Sequence, residues 1–474
     1  MIRCLVLAAL LPALTRAQAP PEETIRAETR AVQISVSARS KEGAHIGSLK
    51  REDFRITDNG KPREVQFFSA DDAKSPPPRP QPNVGPGVFT NRFSAGSGPG
   101  RITAILLDGL NTDFEDQSHA RQQALQAVDR MRGDETIAVY SLKNELAVLQ
   151  TYTTDKELLR AAIKRFKPSV PMMLGKQVKN PYGAQHKKMG GDENTDPPAL
   201  SEYQLRRRVA SAMESLNVIA DHMGGATGRK SILWVTGGFA HDEDLHNLMR
   251  GSLHRVNDAN VAIYPVDARG LLPGSDAIDN IMLMQEFAAA TGGRAYYNRN
   301  DIGEAIVEAM EDSSTAYSLG FYLSDKDLDG QFHNLKVSLN NRPDIELHYR
   351  KGYTAVKELK RKKDEELETE LLDPVNATAI GIDAKVERKG KTLSVTMLLD
   401  GYYTNFEELF VETSVTGQIV GKQLGEAKLS ELKPGMFPKF TQSIPLAKDV
   451  DKLTIIIRDH PSGRVGTLTI PFGK

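Results

Sequence analysis

The feature that most constrains this chain is the alternation of short apolar runs with amphipathic helical segments over residues 101–324. A run such as 102–107 shows no polar alternation, as expected for a parallel strand covered on both faces by helices. Repeated strand and helix signals of this kind predict an α/β domain with a doubly wound, mostly parallel sheet. The runs 136–140 and 146–149 are too close together for a crossover helix. They predict an antiparallel hairpin at one edge of the sheet.

The flanks of the α/β domain carry a different pattern. At 474 residues the chain is too long for a single hydrophobic core, and about three domains are expected. Short alternating strands predict a small β-module before the α/β domain and a β-sandwich of immunoglobulin-like type at the carboxyl end. The predicted boundaries are a signal peptide 1–17, the β-module 28–72, a Pro/Gly-rich linker 73–100, the α/β domain 101–324, a β-extension 325–355, a charged connecting helix 356–374 and the β-sandwich 375–474. The β-extension is expected either to extend the central sheet or to form a flap on it.

The amino terminus predicts export. Arg3 precedes a Leu/Ala-rich run that ends at Leu14, and the small Ala17 suits cleavage directly before a polar stretch, although Ala19 also satisfies the small-residue rule. Cys4 is the single cysteine of the sequence, so the mature chain would contain neither a thiol nor a disulfide. An exported protein of this size without disulfides favours a bacterial periplasmic or extracellular location.

Charge and hydropathy exclude some classes of partner. Lys plus Arg number 61 against 62 Asp plus Glu, a formal net charge of -1, so no global positive field attracts nucleic acid. Beyond the amino terminus, no stretch approaches the roughly 18 apolar residues that span a bilayer. The sequence therefore predicts no nucleic-acid partner and no transmembrane segment in the mature chain.

Polar side chains gather where the central strands are expected to end. Asp108, Asn111 and Thr112 follow the first strand, Thr153 follows the hairpin, and Thr236 ends a later strand. In open α/β sheets ligands bind beyond the carboxyl ends of the strands, so these five residues are the candidate ligand-binding residues. The alternative is that the segment after the first strand caps the next helix, since Asp, Asn and Thr are all good caps.

These strand ends carry a resemblance to the von Willebrand factor type A domain. The likeness lies in the order of strands, the Asp-ended first strand, the Thr-Thr-Asp-Lys-Glu-Leu-Leu segment and the Ile-Leu-Trp-Val-Thr-Gly-Gly segment. The wider layout is similar to exported acidobacterial proteins related to that family. The segments that carry this closer likeness are 107–112, 228–231, 264–270 and 349–353. The resemblance implies a role in protein interaction.

In that family a metal-ion-dependent adhesion site combines an Asp-x-Ser-x-Ser motif, a Thr from a second loop and a further Asp. The resemblance implies three metal ligands in this chain, Asp108, Thr112 and Thr153. Leu110 stands at the first Ser position and Gly237 at the further Asp, although Asp242 or Asp267 could reach in from neighbouring strand ends. Two alternatives follow: an Mg²⁺ ion held by an incomplete set of oxygen ligands, or a metal-free cleft in which Asp108 orients its own loop.

Catalytic motifs gain no support from the sequence. The segment 224–231 resembles a phosphate-binding loop but precedes a strand instead of following one, and no Gly-x-Ser-x-Gly elbow occurs. His241, His246 and His254 lie near Asp242, Glu243 and Asp244, but no cysteine ligand accompanies them, and a solvated helix start is the preferred interpretation of this segment. The sequence therefore predicts a non-catalytic adhesion or scaffold protein that binds a protein or peptide at the strand-end cleft. The alternative is an envelope hydrolase with an unrecognised active site in the same cleft.

Overall fold

The computed structural model describes residues 30–70, 87–92, 102–131, 135–170, 198–226, 230–238, 253–271, 276–314, 316–324, 326–355, 369–401, 403, 405–428, 437–460 and 463–472. Several predictions lie outside these residues: the signal peptide, most of the linker and most of the charged connecting helix. The sequence also predicts a loop over 168–198, which lacks periodicity, and a helix over about 245–256, and most of each lies outside the described residues as well. Among the described residues, no helix is both long and apolar enough to cross a bilayer.

The helices in chain order are α1 (Phe114–Arg130), α2 (Lys156–Arg165), α3 (Pro198–His222), α4 (His254–Asp258), α5 (Asp276–Thr291) and α6 (Ile302–Ser314). Short 3-10 turns cover Arg51–Asp53 and Thr369–Leu372. The strands before α3 are β1 (Arg30–Ser40), β2 (Phe54–Asp58), β3 (Lys61–Arg63), β4 (Phe67–Ala70), β5 (Val88–Thr90), β6 (Ile102–Asp108), β7 (Thr136–Leu142) and β8 (Leu146–Thr153). The later strands are β9 (Lys230–Thr236), β10 (Val261–Asp267), β11 (Ala316–Leu323), β12 (Phe332–Leu339), β13 (Ile345–His348), β14 (Gly352–Thr354), β15 (Ile382–Lys389), β16 (Thr392–Leu399), β17 (Asn405–Ser414), β18 (Ile419–Lys428), β19 (Lys439–Pro445), β20 (Val450–Asp459) and β21 (Val465–Pro471).

The central sheet has the strand order β10-β9-β6-β7-β8. Four of these strands are parallel, and β8 returns antiparallel to β7. Every residue of β6, β7, β9 and β10 is buried, as predicted for strands covered on both faces. The α/β domain and its edge hairpin are therefore confirmed.

Two hydrophobic cores lie on the two faces of this sheet. Along β6, Ala104 and Leu106 point into a core with α3, α4 and α5, whereas Ile105 and Leu107 point into a core with α1, α2 and α6. Successive residues of a strand alternate between its faces, so one apolar run supplies both cores. This packing covers β6 on both faces up to its last residue.

The β-strands before and after the central domain form one β-sandwich. The boundaries predicted from the sequence assigned these strands to separate segments. One sheet has the order β13-β1-β11-β4 and the other β14-β12-β2-β3. β1 pairs with β11 from Arg30↔Leu323 to Ser37↔Ala316, and both sheets contribute to a shared core. The segment 325–355 thus neither extends the central sheet nor forms a flap on it. A module of about 40 residues buries too little surface alone, so it pairs with the strands that leave the α/β domain.

The carboxyl-terminal strands form two antiparallel sheets, with the orders β19-β16-β15-β5 and β18-β17-β20-β21, around a common core. The added strand β5 comes from within the predicted linker and pairs with β15. This region joins the central domain at the end of α3, where the Thr378 backbone N–H donates to the Asp221 carbonyl at 3.0 Å. Its immunoglobulin-like topology stays a prediction.

Candidate functional site at the strand ends

Asp108 ends β6 at the carboxyl edge of the central sheet and is only 2% exposed. Its Oδ1 accepts hydrogen bonds from the backbone N–H groups of Leu110 at 3.1 Å and Asn111 at 3.0 Å. Its Oδ2 accepts from Trp234 Nε1 at 3.0 Å and Thr236 Oγ1 at 2.9 Å. The Asn111 amide donates to both oxygens, at 3.1 and 2.9 Å. Both oxygens of the Asp108 carboxylate therefore accept hydrogen bonds from protein donors.

Charge around Asp108 is balanced from within the protein. Burial raises the pKa of Asp108, while the hydrogen bonds from Asn111, Thr236 and Trp234 lower it. Arg208, on α3, donates through Nε to the Asn111 side-chain oxygen at 3.1 Å. Burial lowers the pKa of Arg208, and the charges of Asp108 and Asp113 raise it. Arg208 is thus linked to Asp108 through the Asn111 side chain, and its positive charge interacts favourably with the carboxylate.

The loops after β6 and β9 pack directly against each other. The Gly237 N–H donates to Thr112 Oγ1 at 2.8 Å, and the Gly238 N–H donates to Thr236 Oγ1 at 3.1 Å. A Cβ at Gly237 would lie 2.6 Å from the Asn111 carbonyl oxygen. Only glycine fits this approach, which explains why no acid stands at the position of the family's further Asp.

Other acids near the edge are engaged elsewhere. Asp267, at the end of β10, accepts from the Arg269 guanidinium at 2.9 and 2.7 Å. Burial, with the charges of Asp113 and Asp267, raises the pKa of Asp116 to about 6, while Arg269 lowers it. Asp242 lies outside the described residues. Asp267 therefore closes its own turn instead of completing a site with Asp108.

Thr153 does not belong to the strand-end site. It pairs with Ile137, which pairs with Thr103 near the start of β6. Five residues of strand separate that level from Asp108, or about 16 Å. Thr153 Oγ1 accepts from the Asp155 N–H at 3.1 Å. The hairpin carries the chain back to the amino edge, so the metal role predicted for Thr153 is wrong.

The Thr154 and Glu157 capping-box spacing in the sequence predicts Thr154 as the amino-terminal cap of α2, whereas the structure has Asp155 in that position. The Asp155 side chain accepts from the N–H groups of Glu157 and Leu158, at 2.8 and 3.3 Å. The helix therefore begins one residue later than a Thr154 cap would place it. The capping chemistry is as expected, since Asp and Thr are both favoured at this position.

A buried glutamine that was not predicted from the sequence connects the loop after β6 to the segment after α2 through hydrogen bonds. Gln117 Nε2 donates to the carbonyls of Gly109 at 3.0 Å, Thr112 at 2.7 Å and Ser169 at 3.1 Å. Its Oε1 accepts from the Ser169 N–H at 3.1 Å. Because α2 returns the chain to the carboxyl edge, the segment after α2 meets the loop after β6. Gln117 shares the apolar face of α1 with Ala120, and a polar residue on that face is the signal that could have revealed it.

The residues present do not fit a magnesium ion. Mg²⁺ needs about six oxygen ligands in octahedral geometry. Both oxygens of Asp108 and the hydroxyl of Thr112 already accept hydrogen bonds, and Thr153 lies at the other edge. Within the described ranges, no group of three or more His, Cys, Asp or Glu could hold a metal ion. The cleft is therefore a closed hydrogen-bonded cluster of Asp108, Asn111, Thr112, Trp234 and Thr236.

Comparisons with known proteins found similarity only among solved structures. No family model matches the chain, and no curated protein matches it. A von Willebrand factor type A protein from Catenulispora acidiphila is 10% identical, with a TM-score of 0.30, and covers 81% of this chain and 76% of its own. The ArnB paralog VWA2 from Sulfolobus acidocaldarius is 10% identical, with a TM-score of 0.25, and covers 88% and 74%. BatB from Bacteroides thetaiotaomicron is 15% identical, with a TM-score of 0.26, and covers 45% and 99%.

Von Willebrand factor type A proteins are thus among the structural neighbours of the chain, as the sequence resemblance predicts. Likeness at these TM-scores carries no argument about function. The α/β assignment rests on the strand order and on the two helical layers described above. The narrower likeness to acidobacterial proteins stays a prediction.

Proposed function

We propose that this protein is a non-catalytic, exported binding protein that holds a protein or peptide at the carboxyl edge of its central sheet without a metal ion. The observation that carries the proposal is the set of hydrogen bonds at Asp108, each of whose oxygens already accepts from protein donors. The family resemblance implies a metal ion beside this carboxylate in a complete adhesion site. Here Arg208 balances the carboxylate instead, so the partner contacts the surrounding surface.

Exposed apolar side chains on segments beyond the strand ends support this role. Phe114 begins α1 after β6 and is 52% exposed, and Leu271 follows β10. Ile278 and Met282 are exposed on α5. Large apolar side chains near one edge of a sheet favour association with another protein, because their burial stabilises the complex. The two β-sandwiches act as spacers or as additional contact surfaces.

Capture from envelope extract of the native host tests the binding role. The full mature chain is the bait, the captured protein is identified by mass spectrometry, and its binding is then measured with both proteins purified. We expect EDTA to leave the affinity unchanged, and Phe114→Ser or Leu271→Ser to weaken binding. Phe332→Ser is the matched control, since Phe332 is 57% exposed on β12, away from the strand ends.

Two results would contradict the proposal: binding that EDTA abolishes, or binding that Phe332→Ser weakens as much as Phe114→Ser. Asp108 is unsuitable for this test, because its removal leaves buried donors without an acceptor. The hydrolase alternative has a separate test, since saturable turnover of an ester, peptide or glycoside substrate would favour it. Amino-terminal sequencing of the native protein tests export, and a chain starting at Met1 would refute it.

A further inference from the structure

A second candidate site lies where the central domain meets the amino-terminal sandwich. A cavity of about 400 Å³ opens between residues 285–299 and residues 348–351. This volume is within the range of small-molecule sites. The polar side chains that line it are Arg294, Tyr296, Tyr297, His348, Tyr349 and Lys351. None of the residues assigned to the strand-end site takes part.

Two cations in this cavity lack an acidic partner. The Arg294 guanidinium lies 5.5 Å from the ring centroid of Tyr296, and Lys351 Nζ lies 4.4 Å from that of Tyr349. Neither forms a salt bridge with any residue that the structure describes. Arg299 also lines the cavity, but its charge is paired with Asp301 and Glu308. Two uncompensated positive charges therefore border one cavity.

The surroundings favour an anion in this space. Partial burial lowers the pKa of Lys351, which means that its charged form is incompletely hydrated. Tyr296 is 4% exposed, and its hydroxyl has no hydrogen-bond partner among the described residues. A bound anion would offset both positive charges and could accept from this hydroxyl.

The two walls of the cavity are held together by backbone packing. Gly292 has φ +82°, and a Cβ there would lie 2.8 Å from the Arg350 backbone nitrogen. Arg350 is buried and donates to the carbonyls of Asn257 at 3.1 Å and Gln33 at 2.6 Å. These contacts join the central domain to the strands of the sandwich. The cavity is therefore preformed, which lowers the entropic cost of binding a ligand.

We propose that this cavity binds an organic anion through a carboxylate held between Arg294 and Lys351. Ala288, Ala289 and Ala295 form an apolar part of the lining, which suits the carbon skeleton of an organic acid better than inorganic phosphate. The same chemistry is offered by a free organic acid and by an acidic side chain of a peptide. The site is independent of the function proposed for the strand ends.

Calorimetric titration of the full mature chain at low ionic strength tests the site. The probes are glutarate, a capped Gly-Glu-Gly peptide and inorganic phosphate. We expect saturable carboxylate binding that Arg294→Gln and Lys351→Gln each weaken by about tenfold or more, and that added salt weakens further. Lys336→Gln, which removes the same charge from an exposed position on β12, should leave the affinity unchanged. The tighter of the two carboxylate probes then identifies the source of the ligand.

Three results would overturn the proposal. The first is the absence of saturable carboxylate binding below about 10 mM. The second is carboxylate binding that neither Arg294→Gln nor Lys351→Gln changes. The third is inorganic phosphate binding as tightly as glutarate, which would remove the argument for a carboxylate. Thermal unfolding of each variant shows whether it remains folded, so a loss of binding can be separated from a loss of structure.

Discussion

The strand-end site and the cavity between the central domain and the amino-terminal sandwich differ in whether their charges are paired within the protein. At the strand end, Asp108 is fully buried, and hydrogen-bond donors and Arg208 balance it internally. In the cavity, Arg294 and Lys351 are exposed and lack acidic partners among the described residues. A deeply buried charge must be paired within the protein, whereas a charge that keeps part of its hydration can remain unpaired until a ligand binds. Resemblance to an ion-binding family therefore does not by itself indicate where an ion or anion binds.

The largest expected effect comes from removing the charge at the centre of the strand-end site. Asp108→Ala leaves the donors of Asn111, Trp234 and Thr236 without their acceptor. It also removes one of the two negative charges, with Asp113, that stabilise the Arg208 cation. We expect the free energy of unfolding to fall by about 3–5 kcal/mol, measured by urea denaturation. Asp113→Ala, at an exposed position, should change it by less than about 0.5 kcal/mol. A loss below about 1 kcal/mol for Asp108→Ala would show that the cluster is not closed.

A second variant tests whether the site is a metal site that merely lacks one acid. Gly237→Asp restores the family's acid but brings a side chain against the Asn111 carbonyl. We expect a destabilisation of about 2–3 kcal/mol and no gain in Mg²⁺ affinity. Gly390→Asp, with nothing within 4 Å of its Cβ, should cost about 1 kcal/mol.

Trp234 is the one tryptophan of the sequence and bonds to Asp108, so its fluorescence reports on this site. Mg²⁺, Mn²⁺ and Ca²⁺ should leave that fluorescence unchanged in the natural protein and in Gly237→Asp. A sub-millimolar site that Asp108→Ala abolishes would contradict the metal-free assignment.

Two threonines provide a smaller test of where the site ends. Thr236→Val removes a buried hydrogen bond to Asp108 and should lower the free energy of unfolding by about 1–2 kcal/mol. Thr153→Val removes only a local bond to the Asp155 N–H and should cost less than about 0.5 kcal/mol. Urea denaturation of both variants measures the difference. Equal losses would be inconsistent with placing Thr153 at the opposite edge.

The smallest expected effect is a pH dependence at Asp116, the acid beside the site whose charge is incompletely balanced. Burial and neighbouring acids raise the pKa of Asp116 from its ordinary value of 3.8 to about 6. The folded protein therefore binds more protons than the unfolded chain between these values, and stability falls as the pH rises through this window. Asp116→Asn should raise the free energy of unfolding at pH 8 by about 1 kcal/mol after solvent screening, with little difference at pH 4, as measured by urea denaturation at the two pH values. A stabilisation confined to pH 4 would reverse the assigned sign.

Local patterns in the sequence were sufficient for the elements of the central domain. The apolar run 102–107 predicts a buried strand, and the structure places Asp108 at its end. The short spacing between 136–140 and 146–149 predicts the hairpin. The same hairpin implies that Thr153 returns to the amino edge, a consequence that the family motif obscured. Motif order along a chain does not determine which edge of the sheet a residue reaches.

The sequence by itself determined most elements of the central domain and the burial of its first strand, because periodicity and apolar runs act over a few neighbouring residues. Only the tertiary structure decided which strands pair and which charges meet. β1 pairs with β11 across almost 300 residues, and Arg208 approaches Asn111 from a helix 97 residues away. The cavity between 285–299 and 348–351 arises in the same way. Such contacts depend on which strand edges and charged side chains remain unpaired after the local elements have packed. A pattern within a few neighbouring residues does not contain this information.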